Sequence, residues 1–300
     1  MSTDTAARLR ATRTGATLIG ACAILLWSSL ALLTTFTGAV PPLQLTGMTF
    51  SIAALLAFGT WIARRENPLG YLRLPPAIWA LGIFGLFGYH ALYFVALKFA
   101  PPLEASLINY LWPLLIVAFS ALLPGERLRW FHAIGVLLGL CGTVVLFLGK
   151  EIAFDPAHLP GFLAAFACAF TWSIYSVLCR RVPDVPTGSI GGFCAVAALL
   201  AWGGHGLWET TFWPADVTEW LAVLALGLGP AGGAFFLWDI GMKRGDIRAL
   251  GAMAYATPLL STLLLILFGK GAFTWQVATA CLLIAGGAVL GAGDLRKKAA

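Results

Sequence analysis

The sequence predicts an all-α polytopic membrane protein with ten transmembrane helices arranged as two inverted five-helix repeats. Three observations predict it. First, hydrophobic residues make up 60% of the 300 and charged residues 11%, with a mean hydropathy of +0.88; a water-soluble domain carries about 25% charge and about 45–50% apolar residues. Second, the apolar residues gather in ten stretches of membrane-spanning length. Third, the chain matches itself at a single offset of 145 residues. A soluble fold cannot cover so much apolar side chain with so few ionic groups. The abundance of Leu, Phe, Val, Trp and Ile excludes disorder.

A hydrocarbon core about 30 Å thick needs about 20 apolar residues at a rise of about 1.5 Å each. That ruler places spans at about 15–37, 43–63, 77–98, 103–123, 130–149, 159–179, 187–208, 217–240, 248–268 and 273–293. Backbone groups in lipid must be satisfied internally, so these spans are helices. The connections are short, and residues 1–300 read as a single membrane domain, with 15–149 as the first repeat and 159–294 as the second. The first span follows Arg8, Arg10 and Arg13, as a signal peptide would, but it runs too long and lacks a clear small-residue cleavage site.

Lys and Arg set the orientation. With this span count one side receives Arg8, Arg10, Arg13, Arg64, Arg65, Arg73, Arg127, Arg129, Arg180, Arg181, Lys243, Arg244, Arg248, Arg296, Lys297 and Lys298. The other receives only Lys98, Lys150 and Lys270. Sixteen against three puts both termini in the cytoplasm, with the chain multi-pass in a bacterial inner membrane. The net charge of +6 is thus a topology signal, and no nucleic-acid partner is expected.

The offset of 145 places Trp27-Ser28 on Trp172-Ser173, Tyr110 on Tyr255, Pro113-Leu114-Leu115 on Pro258-Leu259-Leu260, and Trp130 on Trp275. Each copy holds five helices, so the second enters the membrane the other way up. Inverted repeats of this kind characterise secondary transporters, whose substrate site lies near the midplane between the halves.

Pro113, Gly125-Glu126 and the glycines Gly135, Gly139 and Gly142, with Pro258 and Gly287 in the second copy, resemble the drug/metabolite transporter superfamily of the ten-helix EamA type. The stretch Asn109-Tyr110-Leu111-Trp112-Pro113 followed by Gly125-Glu126-Arg127-Leu128 is similar to the aromatic amino acid exporters of that superfamily. In place of a second glycine-glutamate pair stands Gly269-Lys270, a departure from a symmetric acidic pattern. The resemblance implies inner-membrane export of amino acids or related metabolites through a central cavity.

Ionisable groups at membrane depth cost roughly 2.5–3.5 kcal/mol at a helix centre and are usually functional. Few are present. His90 lies inside the third span and fits either a substrate contact or an interhelical hydrogen bond. Asp239 lies one turn before Lys243, as an ion pair requires, and Glu126 fits a gate or structural pair at the mouth of the fourth span. No Lys or Arg falls mid-span, which disfavours polyanionic cargo. A neutral or zwitterionic solute with an apolar body fits better: an aromatic or other apolar amino acid, with a drug, a threonine-like amino acid or another metabolite as alternative cargoes, and a non-transporting structural membrane protein as the alternative role.

Aromatics deep in spans form the rest of the candidate substrate site: Tyr89, Tyr93, Tyr110, Trp112, Trp172, Trp238 and Tyr255, joined by His90, Asn109 and Ser28. Trp61, Trp79, Trp130, Trp208, Trp220 and Trp275 lie near span ends and fit an interfacial belt. Pro113 frees the carbonyl of Asn109, and Pro258 repeats the device, so both are candidate hinges. Such bends in matching places point to a transport site; helix packing accounts for the same aromatics.

The four histidines, at 90, 132, 158 and 205, have no ligand spacing, and no HExxH, paired acids or serine with a base occurs. Neither an enzyme, a metal nor a cofactor is expected. The six cysteines lie in or beside apolar stretches as small hydrophobes. The expected partners are the lipid bilayer and the small-molecule substrate, and one chain is sufficient.

Overall fold

The computed structural model describes residues 3–126, 128–149 and 155–291, with side chains from residue 12 onward. Arg127, Lys150, Arg296, Lys297 and Lys298, and the side chains of Arg8 and Arg10, all used in the orientation argument, lie outside the described residues. Among the described residues, nine helical spans are long and apolar enough to cross a membrane: Thr12–Thr34, Pro42–Ala63, Pro76–Phe99, Pro102–Ser120, Trp130–Phe147, Pro156–Cys179, Thr187–Trp208, Val217–Arg244 and Ile247–Leu267. A tenth, shorter apolar helix covers Trp275–Gly291. The chain is therefore a multi-pass membrane protein built as predicted from two sets of five helices.

Packing follows the repeat. The first span runs along the Gly233–Arg244 part of the eighth, and its counterpart, the sixth, runs along the Tyr89–Phe99 part of the third. The second span pairs with the seventh and the fifth with the tenth, each pair being its own image. The fifth and tenth approach backbone to backbone: a Cβ on Gly135 would lie 2.6 Å from the Gly287 carbonyl oxygen and 2.8 Å from the Gly291 nitrogen. Only the missing side chain permits that distance, the usual device for helix contact in lipid.

Several spans are interrupted. The fourth breaks at Tyr110 and Leu111, between Pro102–Asn109 and Trp112–Ser120, and the ninth breaks at Tyr255, between Ile247–Ala254 and Ala256–Leu267. Both breaks stand just ahead of Pro113 and Pro258, whose rings remove the donors that would bond back across them. Two further interruptions match each other, and of the two only the one in the eighth span holds a proline, Pro230. The third span holds a π-helical turn at Phe84–Gly88, and the eighth opens at 229–232, which falls on the same turn under the 145 offset. The first span also breaks, at Ser29.

The tryptophans divide. Trp130, Trp208, Trp220 and Trp275 are exposed, as a belt requires, but Trp61 is buried and stacks on Tyr71 at 4.8 Å. Tyr71 lies in the connection after the second span and ties the helix end inward; position near a span end alone did not reveal that partner.

Candidate substrate cavity

At the interface of the two helix sets lies a cavity of about 510 Å³, within the range of small-molecule sites. Its inner wall is aromatic. Trp27 meets its repeat counterpart Trp172 edge-on at 5.6 Å, and both meet Phe235, at 6.3 Å and 5.8 Å. Trp112 closes on Trp27 at 6.2 Å. From this wall the cavity runs to the connection between the first and second spans, where Thr34, Thr37, Val40 and Pro42 line it. No Asp, Glu, Lys or Arg is among the residues lining it.

Polar groups line one side. Asn109, the last residue before the break in the fourth span, donates from Nδ2 to the Tyr89 hydroxyl at 3.0 Å. Its Oδ1 has no hydrogen-bond partner among the described residues although the side chain is 6% exposed. A buried acceptor without a donor costs about 1–3 kcal/mol unless something supplies one. One turn earlier, the Ser106 and Tyr93 hydroxyls lie 3.2 Å apart. His90 directs Nδ1 at the Leu86 carbonyl at 2.7 Å; a carbonyl can only accept, so Nδ1 carries the hydrogen and the neutral ring presents Nε2 as an acceptor. The π turn sets this up, since it interrupts the regular ladder where Leu86 sits.

Seven of the sequence candidates therefore line one cavity: Tyr89, His90, Tyr93, Asn109, Tyr110, Trp112 and Trp172. Three do not. Trp238 lies behind the wall, stacked on Trp172 at 6.3 Å and donating from Nε1 to Ser176 at 3.0 Å. Ser28 donates to the Ile24 carbonyl of its own helix at 2.8 Å. Tyr255 is fully buried in a separate apolar cluster with Val136, Leu259, Ala280 and Ile284. Trp27, Phe235, Thr46, Thr49, Ser106 and Thr257 line the cavity without having been singled out. The repeat held a signal for three of them, since Trp27 is the image of Trp172, Phe235 the image of His90 and Thr257 the image of Trp112.

The opposite end of the bundle is closed by ions. The Glu126 carboxylate, 8% exposed, accepts from Arg180 at 2.9 Å, Arg248 at 3.2 Å and Arg13 at 3.5 Å. Arg13 also reaches Asp246 at 3.1 Å. Arg180 donates to the carbonyls of Met242, Lys243 and Gly245 and so holds the end of the eighth span. Burial pushes the Asp246 carboxyl up, but the Arg13 and Arg248 cations and the Ala249 amide outweigh it and hold its pKa below the ordinary value. Nearby, Lys243 and Asp239 pair at 2.9 Å as their spacing implied, and the Thr187 hydroxyl donates to the same carboxylate at 2.6 Å.

Comparison with known proteins places this architecture. The aromatic amino acid exporter YddG of Ancylobacter novellus is 55% identical over 280 residues, covering 93% of this chain and 97% of that protein. The protein of the same name from Escherichia coli is 26% identical over 297 residues, covering 93% and 97%. A crystal structure 55% identical in sequence superposes with a TM-score of 0.90, over 95% of this chain and 99% of the other. The profile of the EamA-like transporter family matches twice, at residues 14–148 and again at 159–292. The chain belongs to the EamA-like transporter family of the drug/metabolite transporter superfamily.

Proposed function

We propose that this protein exports aromatic or similarly apolar amino acids across a bacterial inner membrane by alternating access. The observation that carries the reading is the uncharged cavity between the two repeats, aromatic on its inner wall and neutral-polar along one side. An aromatic ring fits among Trp27, Trp112, Trp172 and Phe235, whose edges and faces reward edge-on and offset contacts by about 0.5–1.5 kcal/mol each. The amino acid's ammonium takes the unpaired Asn109 Oδ1 and His90 Nε2. Its carboxylate takes the hydroxyl hydrogen of Tyr89 and that of whichever of Tyr93 and Ser106 does not donate to the other. With no fixed charge, the cavity favours a solute whose charges balance. A polyanion would find no cation to replace its water.

The excess of Lys and Arg on one side supports a cytoplasmic ionic end, and in that orientation the cavity faces outward. In export, the ionic end opens to load the substrate, the two helix sets rock, and the aromatic wall closes behind it. The test is flux of labelled phenylalanine in proteoliposomes, with and without an imposed proton gradient. Saturable flux competed by tryptophan is expected, and the gradient response reads out coupling. Absent flux from folded protein, with an unrelated metabolite transported instead, would overturn the cargo.

A further inference from the structure

The two ends of the bundle are images of each other under the repeat, but their chemistry is not. Arg180 follows the sixth span and Thr35 the first, 145 residues apart. Asp246 stands directly ahead of Ile247–Ala254, and Pro101 directly ahead of Pro102–Asn109, again 145 apart. Gly125 and Gly269 both adopt positive φ, 81° and 70°, and each is followed by a charged residue, Glu126 or Lys270. Aligned on these two left-handed glycines, which stand 144 residues apart and so one residue short of the repeat offset, the contact from Lys270 Nζ to the Thr35 hydroxyl, 2.7 Å, is the counterpart of the Glu126–Arg180 ion pair at 2.9 Å.

On the ionic side a buried carboxylate gathers three guanidinium groups. On its image, an exposed ammonium rests on a neutral hydroxyl and over the Phe36 ring at 4.2 Å. Leu103 and Pro101 stand where the second copy has Arg248 and Asp246. We infer that these images form a matched pair of latches of unequal strength, one ionic and one nearly neutral. The reversal of charge from Glu126 to Lys270 sets the resting state. The empty carrier stays shut at the Glu126 end and open at the Lys270 end, and closing the open end gathers no new ion pairs. The bound solute must therefore supply the drive for that closure. The inference rests on the alternating-access reading above but not on the identity of the cargo.

The test strengthens the weak latch and weakens the strong one. Thr35→Glu places a carboxylate beside Lys270, and Thr35→Gln is its neutral match; both residues are exposed, so folding is spared. A cysteine-free protein carrying Leu97→Cys, in the cavity lining, is labelled with a water-soluble maleimide in proteoliposomes without amino acid. Thr35→Glu should raise the closed-to-open ratio about twofold to fivefold relative to Thr35→Gln, the worth of one exposed ion pair; because the resting carrier is mostly open, labelling slows by less than that factor, and high salt should erase the difference. In a second protein retaining only Cys179, buried beside Arg180, Glu126→Gln should speed labelling. Equal rates for Thr35→Glu and Thr35→Gln, or an unchanged Cys179 rate in folded Glu126→Gln protein, would overturn the unequal latches. Neither readout needs phenylalanine flux, so a wrong cargo and a wrong latch give different results.

Discussion

Asn109→Asp adds a charge to the cavity with little change of shape. The side chain is buried, lines the cavity, and leaves Oδ1 unpaired while Nδ2 holds Tyr89. In the proposed pose that oxygen faces the substrate ammonium. Two unit charges about 4 Å apart attract by about 1 kcal/mol in water and about 4 kcal/mol at an effective dielectric near 20. A cavity open to water at one end lies between these limits. A cation lacking a carboxylate should therefore gain about fivefold to several hundredfold in affinity, and an anion lacking an amine should lose by a similar factor. Phenylalanine, which carries both charges, should change less. The assay is inhibition of labelled phenylalanine flux at pH 8 by 2-phenylethylamine and by 3-phenylpropionate. The ratio of the two inhibition constants is compared between parent and variant. General damage to folding or turnover acts on both inhibitors alike, so the ratio isolates the electrostatic effect. A ratio unchanged within about twofold would refute the placement of the ammonium at Asn109.

Three further outcomes follow from the geometry. Trp172→Ala removes a ring touching Trp27, Tyr89, Phe235 and Trp238; it should raise the KM for phenylalanine well above that of Trp172→Phe, and destabilise by less than the 3–5 kcal/mol of a closed core because one side already borders a cavity, as read by flux and by thermal unfolding in detergent. Gly135→Ala drives a methyl into the Gly287 carbonyl and the Gly291 backbone, which no rotamer relieves; a loss of about 1–3 kcal/mol or more is expected, measured as a lower Tm. Asp246, with its folded pKa lowered, stabilises the fold fully above its unfolded pKa and loses that contribution as pH falls through the folded value; the acid limb below about pH 4 should be shallower in Asp246→Asn, by Tm against pH.

The span count and the repeat were legible because each rests on many residues. Twenty apolar positions make a span whatever their order, and a paired Trp or Pro survives duplication visibly. Local breaks were legible only where a proline marks them. The π turn at Phe84–Gly88 lies among glycines, which permit a break without specifying one, and the opening at 229–232 holds Pro230, whose repeat image is Gly85, so the pairing of prolines that marked the other breaks was missing there. Burial within the bundle was less legible still. Tyr255 and Tyr110 share a repeat position, yet one is sealed in a core with Val136 and Ile284 and the other faces the cavity. Helical periodicity says which residues share a face, and here every face is apolar, so lipid, neighbour helix and cavity read alike. Glu126 was placed at a helix mouth, but its partners Arg13, Arg180 and Arg248 come from spans distant in sequence.

The polar residues of the proposed site stand where the copies disagree. Tyr89 falls on Ala234, His90 on Phe235, Asn109 on Ala254 and Trp112 on Thr257. An amino acid has an amine, a carboxylate and a ring in a fixed hand, so a cavity with true twofold symmetry would bind it equally in two orientations and make only half of its polar contacts in each. For the proposed cargo, divergence at these positions would remove one orientation, since donors and acceptors stand on the first copy's third and fourth spans and the aromatic wall comes from both. The positions that stayed alike are the paired Trp27 and Trp172 of the cavity wall, and Pro113 and Pro258 beside the two helix breaks, which in the proposed mechanism are the wall that seals from either side and the points at which either half bends. Restoring symmetry should therefore cost selectivity before it costs the fold: Phe235→His, the second-copy image of His90, should admit more polar amino acids in a competition screen while thermal stability stays near the parent's. A screen unchanged from the parent would mean that the aromatic wall, and not the divergence of the copies, sets the choice of cargo.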